Sequence, residues 1–175
     1  MLDKKTAVHY ALDSQGSFQI ENYNQSKPFS SFFPGIAGLW GIPMWVFYVN
    51  RGQGIASFGV ESKDKAIMEF QPANKAYRLT SWQGLRTFIK GKSQHKTFFW
   101  EPFQIHTCRC FHVQQTLKMT AHDLTLEEKN FDLGLSVKVN YFTMPEEPFA
   151  ALVRRVEIKN LSKKRFDLEV VDGLP

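Results

Sequence analysis

The sequence predicts an all-β protein, an antiparallel β-sandwich, and three observations carry that expectation. Apolar residues recur with period two rather than 3.6, turn-forming residues punctuate the chain at short intervals, and no segment keeps a helical period beyond a turn or two. In Phe131–Phe142, for example, Leu133, Leu135, Val137, Val139 and Tyr141 alternate with Gly134, Ser136, Lys138 and Asn140, the pattern of a half-buried strand. With 175 residues, 43% of them hydrophobic, the chain is long enough for one domain with a true core.

Taken in order, Phe18–Ile20 is the first strand candidate. A polar, aromatic loop follows over Asn22–Gly41, too rich in Phe and Tyr for a disordered linker. Met44–Val49 and Ile55–Val60 read as a hairpin turning at Asn50-Arg51-Gly52-Gln53. Further short strands are expected at Ile67–Gln71, Ala76–Thr80, Leu85–Ile89, Thr97–Trp100, Thr107–Thr116 and Lys118–Leu124. Asp123–Asn130 and Thr143–Pro148 read as polar turns. Phe149–Lys159 and Phe166–Val170 alternate again and join through Asn160–Lys164 as a second hairpin. A sandwich that stopped after this strand would leave edges unpaired, so the expectation is a domain incomplete at its C-terminus.

Composition narrows the function classes. The net charge is +5, but the basic residues scatter, with small clusters only at Lys90/Lys92/Lys96 and Lys163-Lys164-Arg165. A nucleic-acid binder gathers them on one face, so no nucleic-acid partner is expected. No run approaches the ~20 apolar residues of a membrane span. The first residues also lack the apolar stretch of a signal peptide. Cys108 and Cys110 lie two apart on one candidate strand, where a mutual disulfide would be strained; a reduced, cytoplasmic protein is expected.

Catalytic and metal motifs are weak. His106, Cys108, Cys110 and His112 would share a strand face, but neighbours about 7 Å apart span too far for one ion. No metal site and no cofactor are therefore expected. Gly35–Gly38 and Gly52–Gly54 do not lead from a strand into a helix, as a phosphate loop requires. Glu127-Glu128 and Glu146-Glu147 sit in the polar turns and read as solvated surface. Glu101, between aromatic neighbours, reads as a strand-end carboxylate capping a backbone group rather than as an acid catalyst. No catalytic residue is assigned.

Several blocks in register nonetheless carry a family resemblance: ENYNQ (Glu21–Gln25), KPFSSFFPGIAG, GIPMWVFYVNRGQGIASFGV, IMEFQPANKAY (Ile67–Tyr77), GLRTFIK (Gly84–Lys90) and VVDGLP (Val170–Pro175). This text resembles the N-terminus of cellobiose-phosphorylase-like glycoside phosphorylases, the nearest branch being bacterial β-1,3-glucan phosphorylases. It runs from about Phe18 to the last residue. The resemblance implies a supersandwich of the mutarotase-like type, followed in the parent enzyme by a helical linker and an (α/α) barrel that carries the general acid. On that reading residues 1–175 are a single partial N-terminal domain, inactive alone, that packs on the absent barrel and on a partner subunit of a homodimer. The parent would use inorganic phosphate as co-substrate to release α-glucose 1-phosphate from a β-glucan or oligosaccharide. Aromatic faces and amide or guanidinium groups suit sugar, and Tyr23, Asn24, Arg51, Gln53, Trp82, Arg86 and Trp100 are the candidate contacts, with loop Asn22–Gly41 beside the acceptor end. A free-standing carbohydrate-binding β-sandwich and, less favoured, a basic nucleic-acid-binding β domain are the alternatives.

Overall fold

A computed structural model describes residues 7–93, 96–104 and 110–174. Among the described residues the named elements are thirteen strands, one α-helix and two short 3₁₀ turns. In chain order the strands are β1 (His9–Leu12), β2 (Phe18–Glu21), β3 (Ser30–Ala37), β4 (Ile42–Val49), β5 (Ile55–Val60) and β6 (Ala66–Met68). Helix α1 (Ala73–Gln83) follows, then β7 (Arg86–Ser93), β8 (Lys96–Trp100), β9 (Val113–Met119), β10 (Asp123–Asn130), β11 (Leu135–Thr143), β12 (Leu152–Asn160) and β13 (Asp167–Gly173).

The strands form a six-stranded sheet, β1-β2-β9-β10-β11-β12, and two smaller sheets, β3-β4-β5-β6 and β13-β7-β8. All named pairings are antiparallel. One core joins the three. Ile20, Leu117, Leu124, Leu126, Leu135, Val137, Val139 and Tyr141 from the large sheet meet Phe33, Val46, Tyr48 and Ile55 from the second, and Ile89 and Trp100 from the third. The protein is thus a β-sandwich whose second layer is divided in two, as the period-two pattern predicts.

Four local differences from the sequence reading have physical causes. The loop expected over 22–41 contains β3, which pairs along its whole length with β4 and so makes the Met44–Val60 hairpin the centre of a four-stranded sheet. Ala76–Thr80, expected as a strand, lies inside α1, an eleven-residue helix. Its buried residues are Ala76, Thr80 and Ser81, a stripe too small and polar to register as an apolar period; it rests Ala76 and Tyr77 on Phe47, Val49 and Ala56. Asp123–Asn130 is β10 rather than a turn, and its inward face runs Leu124, Leu126, Glu128, Asn130. Conversely, Lys118–Leu124 spans the β9–β10 turn, where Thr120 Oγ1 donates to Asp123 Oδ1 at 2.6 Å. Residues 107–109 of the Thr107–Thr116 expectation, with Cys108 and His106, lie outside the described residues.

Candidate functional site

The β4–β5 turn is the most tightly specified surface feature of the protein. The buried side chain of Asn50 accepts from Phe29 N (2.8 Å) and donates to Ser26 Oγ (2.6 Å) and Lys27 O (2.9 Å). Val49 N donates to Gly54 O at 2.8 Å, closing the turn. Tyr23, buried beneath it, donates its hydroxyl to Gly52 O at 2.8 Å. Gly52 has φ +56°, and a Cβ there would come within 3.3 Å of the Ser81 Cα, so the turn can press against the end of α1 only with glycine.

Arg51 projects from this turn and lies over the Tyr77 ring of α1, with its guanidinium carbon 5.2 Å from the centroid. Its Nε is buried and has no hydrogen-bond partner. Arg51 and Tyr77 line a cleft of about 40 Å³ with Asn24, Asn50, Gly52, Phe103, Gln104 and Gln115. Tyr77 also lines a neighbouring groove of about 380 Å³ with Pro28, Phe29 and Arg78. Two of the residues expected from the sequence, Asn24 and Arg51, are therefore brought together.

Beneath the cleft lies a residue that the sequence reading placed on the surface. Glu128 is fully buried, because the inward register of β10 continues past its leucines. Its carboxylate accepts from Trp100 Nε1 (2.8 Å), Phe103 N (2.6 Å) and Gln115 Nε2 (2.5 Å). Burial dominates over these three donors and pushes its pKa up to about 7. Phe103, held in the left-handed region at φ +68°, and Gln115 are also walls of the cleft, so Glu128 positions them.

The other expected contacts are spent elsewhere. Trp100 is 2% exposed and its indole N–H is committed to Glu128, so it offers no stacking face to a sugar. Tyr23 is equally buried. Arg86 Nε donates to Glu101 at 2.5 Å, and both side chains are largely buried; Glu101 thus has a guanidinium partner. Trp82 stands 69% exposed on α1 and is not among the residues that line the cleft.

Gln53 belongs to a polar clasp between the three sheets. Arg154 of β12 donates to Asp172 of β13 through both terminal nitrogens, to Gln53 Oε1, and to Thr87 Oγ1 of β7 at 3.1 Å. Gln53 Nε2 and Asp172 Oδ1 both bind the Thr87 hydroxyl, at 2.9 and 2.6 Å. Burial works against charge on Asp172, but bonds from Arg154 and Thr87 prevail and hold its pKa below the ordinary carboxylate value. Burial pushes the Tyr141 phenol up, against the pull of Arg154, which donates to its hydroxyl at 3.3 Å.

A second surface feature escaped residue-by-residue reading. The β3–β4 hairpin closes through residues 38–41, with Gly38 and Gly41 at positive φ, and it presents Leu39 and Trp40 to solvent. Trp40 is 87% exposed. The tip is fixed by Gly38 N to Met144 O (3.0 Å) and Leu39 N to Glu147 O (2.6 Å). Exposed Ile36 and Phe149 accompany it. An aromatic residue held between two glycines in Gly38–Gly41 was the signal available in the sequence.

Among the described residues no group of three His, Cys, Asp or Glu side chains could hold a metal ion, and no helix is long and apolar enough to cross a membrane. No protein-family model matches the chain, and no curated protein is significantly similar to it.

Proposed function

We propose that this chain is a scaffolding and carbohydrate-site domain of an inverting β-glucan or disaccharide phosphorylase, the role its sequence resemblance implies. The observation that carries the reading is the hydrogen-bonded β3–β4 tip, where Trp40 stands out with Leu39, Ile36 and Phe149 also exposed. An indole on a fixed hairpin loses little conformational entropy on contact and suits either the C–H face of a pyranose or an apolar protein surface. Such a group of large apolar side chains marks an interaction surface rather than ordinary solvent-facing strand. The tip closes the Asn22–Gly41 segment that the resemblance sets beside the acceptor end of the sugar site. On this reading the chemistry belongs to a barrel carboxylic acid outside these residues, inorganic phosphate is its co-substrate, and this domain shapes the site and the homodimer.

The charge distribution favours sugar or protein over nucleic acid as partner. On the outer face of the six-stranded sheet, Glu127, Lys138 and Glu157 stand directly opposite one another across β10, β11 and β12. The lysines there alternate with acids instead of forming a positive stripe.

The test is phosphate-dependent release of α-glucose 1-phosphate from β-1,3-gluco-oligosaccharides by the natural protein that contains this chain. Trp40→Ala is expected to raise the acceptor KM about tenfold, the loss of one aromatic contact worth ~1.4 kcal/mol. Absence of phosphorolysis would overturn the phosphorylase reading. Saturable micromolar binding of such glycans by residues 1–175 alone would favour the free-standing carbohydrate-binding module.

A further inference from the structure

We propose that the cleft between the β4–β5 turn and α1 binds a small oxyanion, a carboxylate or phosphate group, with Arg51 as its principal ligand. This stands independently of the phosphorylase reading.

Three observations carry it. Arg51 Nε is buried without a hydrogen-bond partner, a state that is costly unless a ligand or water fills it. No carboxylate among the described residues forms an ion pair with Arg51. By contrast, the largely buried side chains of Arg86 and Arg154 are each engaged by a carboxylate, Glu101 and Asp172. The guanidinium is also preorganised: the turn that carries it is clamped through Asn50 and Gly52, and its central carbon sits 5.2 Å from the Tyr77 ring centroid.

The dimensions select the ligand. A water needs roughly 10–15 Å³ of such space, so about 40 Å³ takes a group of a few heavy atoms and not a pyranose ring. Of such groups, the planar fork of arginine matches a carboxylate or phosphate bidentately and gains roughly twice the energy of a neutral hydrogen bond. Asn24, Gln104 and Gln115 also line the cleft, with Gln104 Nε2 donating to Ser81 O and Gln115 Nε2 to Glu128, so Arg51 is the charged donor there. The larger groove across Tyr77 leaves room for the body of a molecule that presents the anion. The Glu128 carboxyl lies behind Phe103 and Gln115 and is held by its own three donors.

The experiment is a backbone-amide NMR titration of the full chain with inorganic phosphate and, separately, sodium acetate, each at an ionic strength fixed with chloride. Saturable shifts confined to residues 50–54, Tyr77 and Phe103–Gln104 are expected, with Kd in the millimolar range, on the order of 4 kcal/mol for one charge-assisted contact. Arg51→Ala should abolish them while leaving the remaining spectrum dispersed. If that variant does not fold, Arg51→Gln keeps the stem without the charge and should weaken binding at least tenfold. Response to acetate alone, or to phosphate alone, would identify which oxyanion the site takes. Shifts that fail to saturate, that chloride reproduces, or that survive both substitutions would overturn the proposal.

Discussion

Glu128 and the Arg154–Asp172 pair are two solutions to the same problem, a charge taken out of water. Among the described residues Glu128 has no counter-ion: three neutral donors satisfy its oxygens, yet burial still raises its pKa to about 7. Asp172 sits at the seam between sheets, partly exposed, and a guanidinium holds its pKa down. Hydrogen bonds alone therefore do not offset desolvation in this core, whereas a charged partner near the surface does. The first arrangement orders a loop and the walls of the Arg51 cleft; the second locks the three sheets together.

Removing the buried carboxylate is the largest way to break that comparison. Glu128→Ala leaves the Trp100 indole N–H, the Phe103 amide and Gln115 without their acceptor, at about 1–3 kcal/mol each before relaxation and the relief of burying a charge. A net loss of about 3–4 kcal/mol is expected in urea unfolding, with weaker phosphate binding at Arg51. A loss under 1 kcal/mol would show that the three donors find other partners.

The same carboxyl supplies a pH signature. Its folded pKa of about 7 lies above the ordinary 4.5, so the folded state binds the proton more tightly than the unfolded chain. That stabilisation is fully present below about pH 4.5 and is lost as pH rises toward 7. The change amounts to roughly 3 kcal/mol, and stability should be flat above it. Glu128→Gln is expected to remove this slope. Asp172 has the opposite sign. Its pKa is lowered, so its contribution is present above the ordinary carboxylate range and is lost as pH falls through the folded value. Urea midpoints between pH 3 and 8 for the two single variants, Glu128→Gln and Asp172→Asn, should separate these windows. A slope between pH 4.5 and 7 that survives Glu128→Gln would assign it to another group.

Arg154→Ala tests the clasp itself. It strands Gln53 Oε1 and leaves Asp172 with only the Thr87 hydroxyl as its side-chain partner among the described residues. Breaking a buried pair costs ~3–5 kcal/mol, and partial exposure of Asp172 lowers the expectation to about 2–3 kcal/mol. Pairing Arg154→Ala with Asp172→Ala in a double-mutant cycle isolates the coupling. Strict additivity would mean that the clasp holds no more than its separate packing.

What the sequence disclosed follows the same division. The strands of the large sheet were legible where alternation was pure, as in β11 and β12, because a one-residue slip would turn every apolar side chain outward. Glu128 was not, since an acidic doublet followed by Lys129 and Asn130 reads as a turn unless the register of Leu124 and Leu126 is carried through it. Helix α1 was hidden because small residues, rather than large apolar ones, make its buried stripe. Arg51 was identifiable as a turn arginine near other polar groups. Its unsatisfied Nε depends on α1 and the β4–β5 turn meeting, and no local pattern encodes that. Trp100 and Tyr23 have the residue types of a sugar site, but their burial is a property of the assembled core.

The smallest expected effect lies on the opposite face of the same strand. Glu127 points outward beside inward Glu128, with Lys138 opposite it and Glu157 beyond, so the ladder is a row of exposed charges rather than a desolvated one. Cross-strand opposite-charge pairs contribute about 0.2–1 kcal/mol, and exposed pairs fall at the low end. Lys138→Ala should therefore cost no more than about 0.5 kcal/mol at low salt and nothing measurable near 1 M, where the Debye length is ~3 Å. A loss comparable to that of Glu128→Ala, or one indifferent to salt, would mean that the outer face is covered by something that excludes water. The contrast between the two faces of β10 would then no longer be one of solvent exposure.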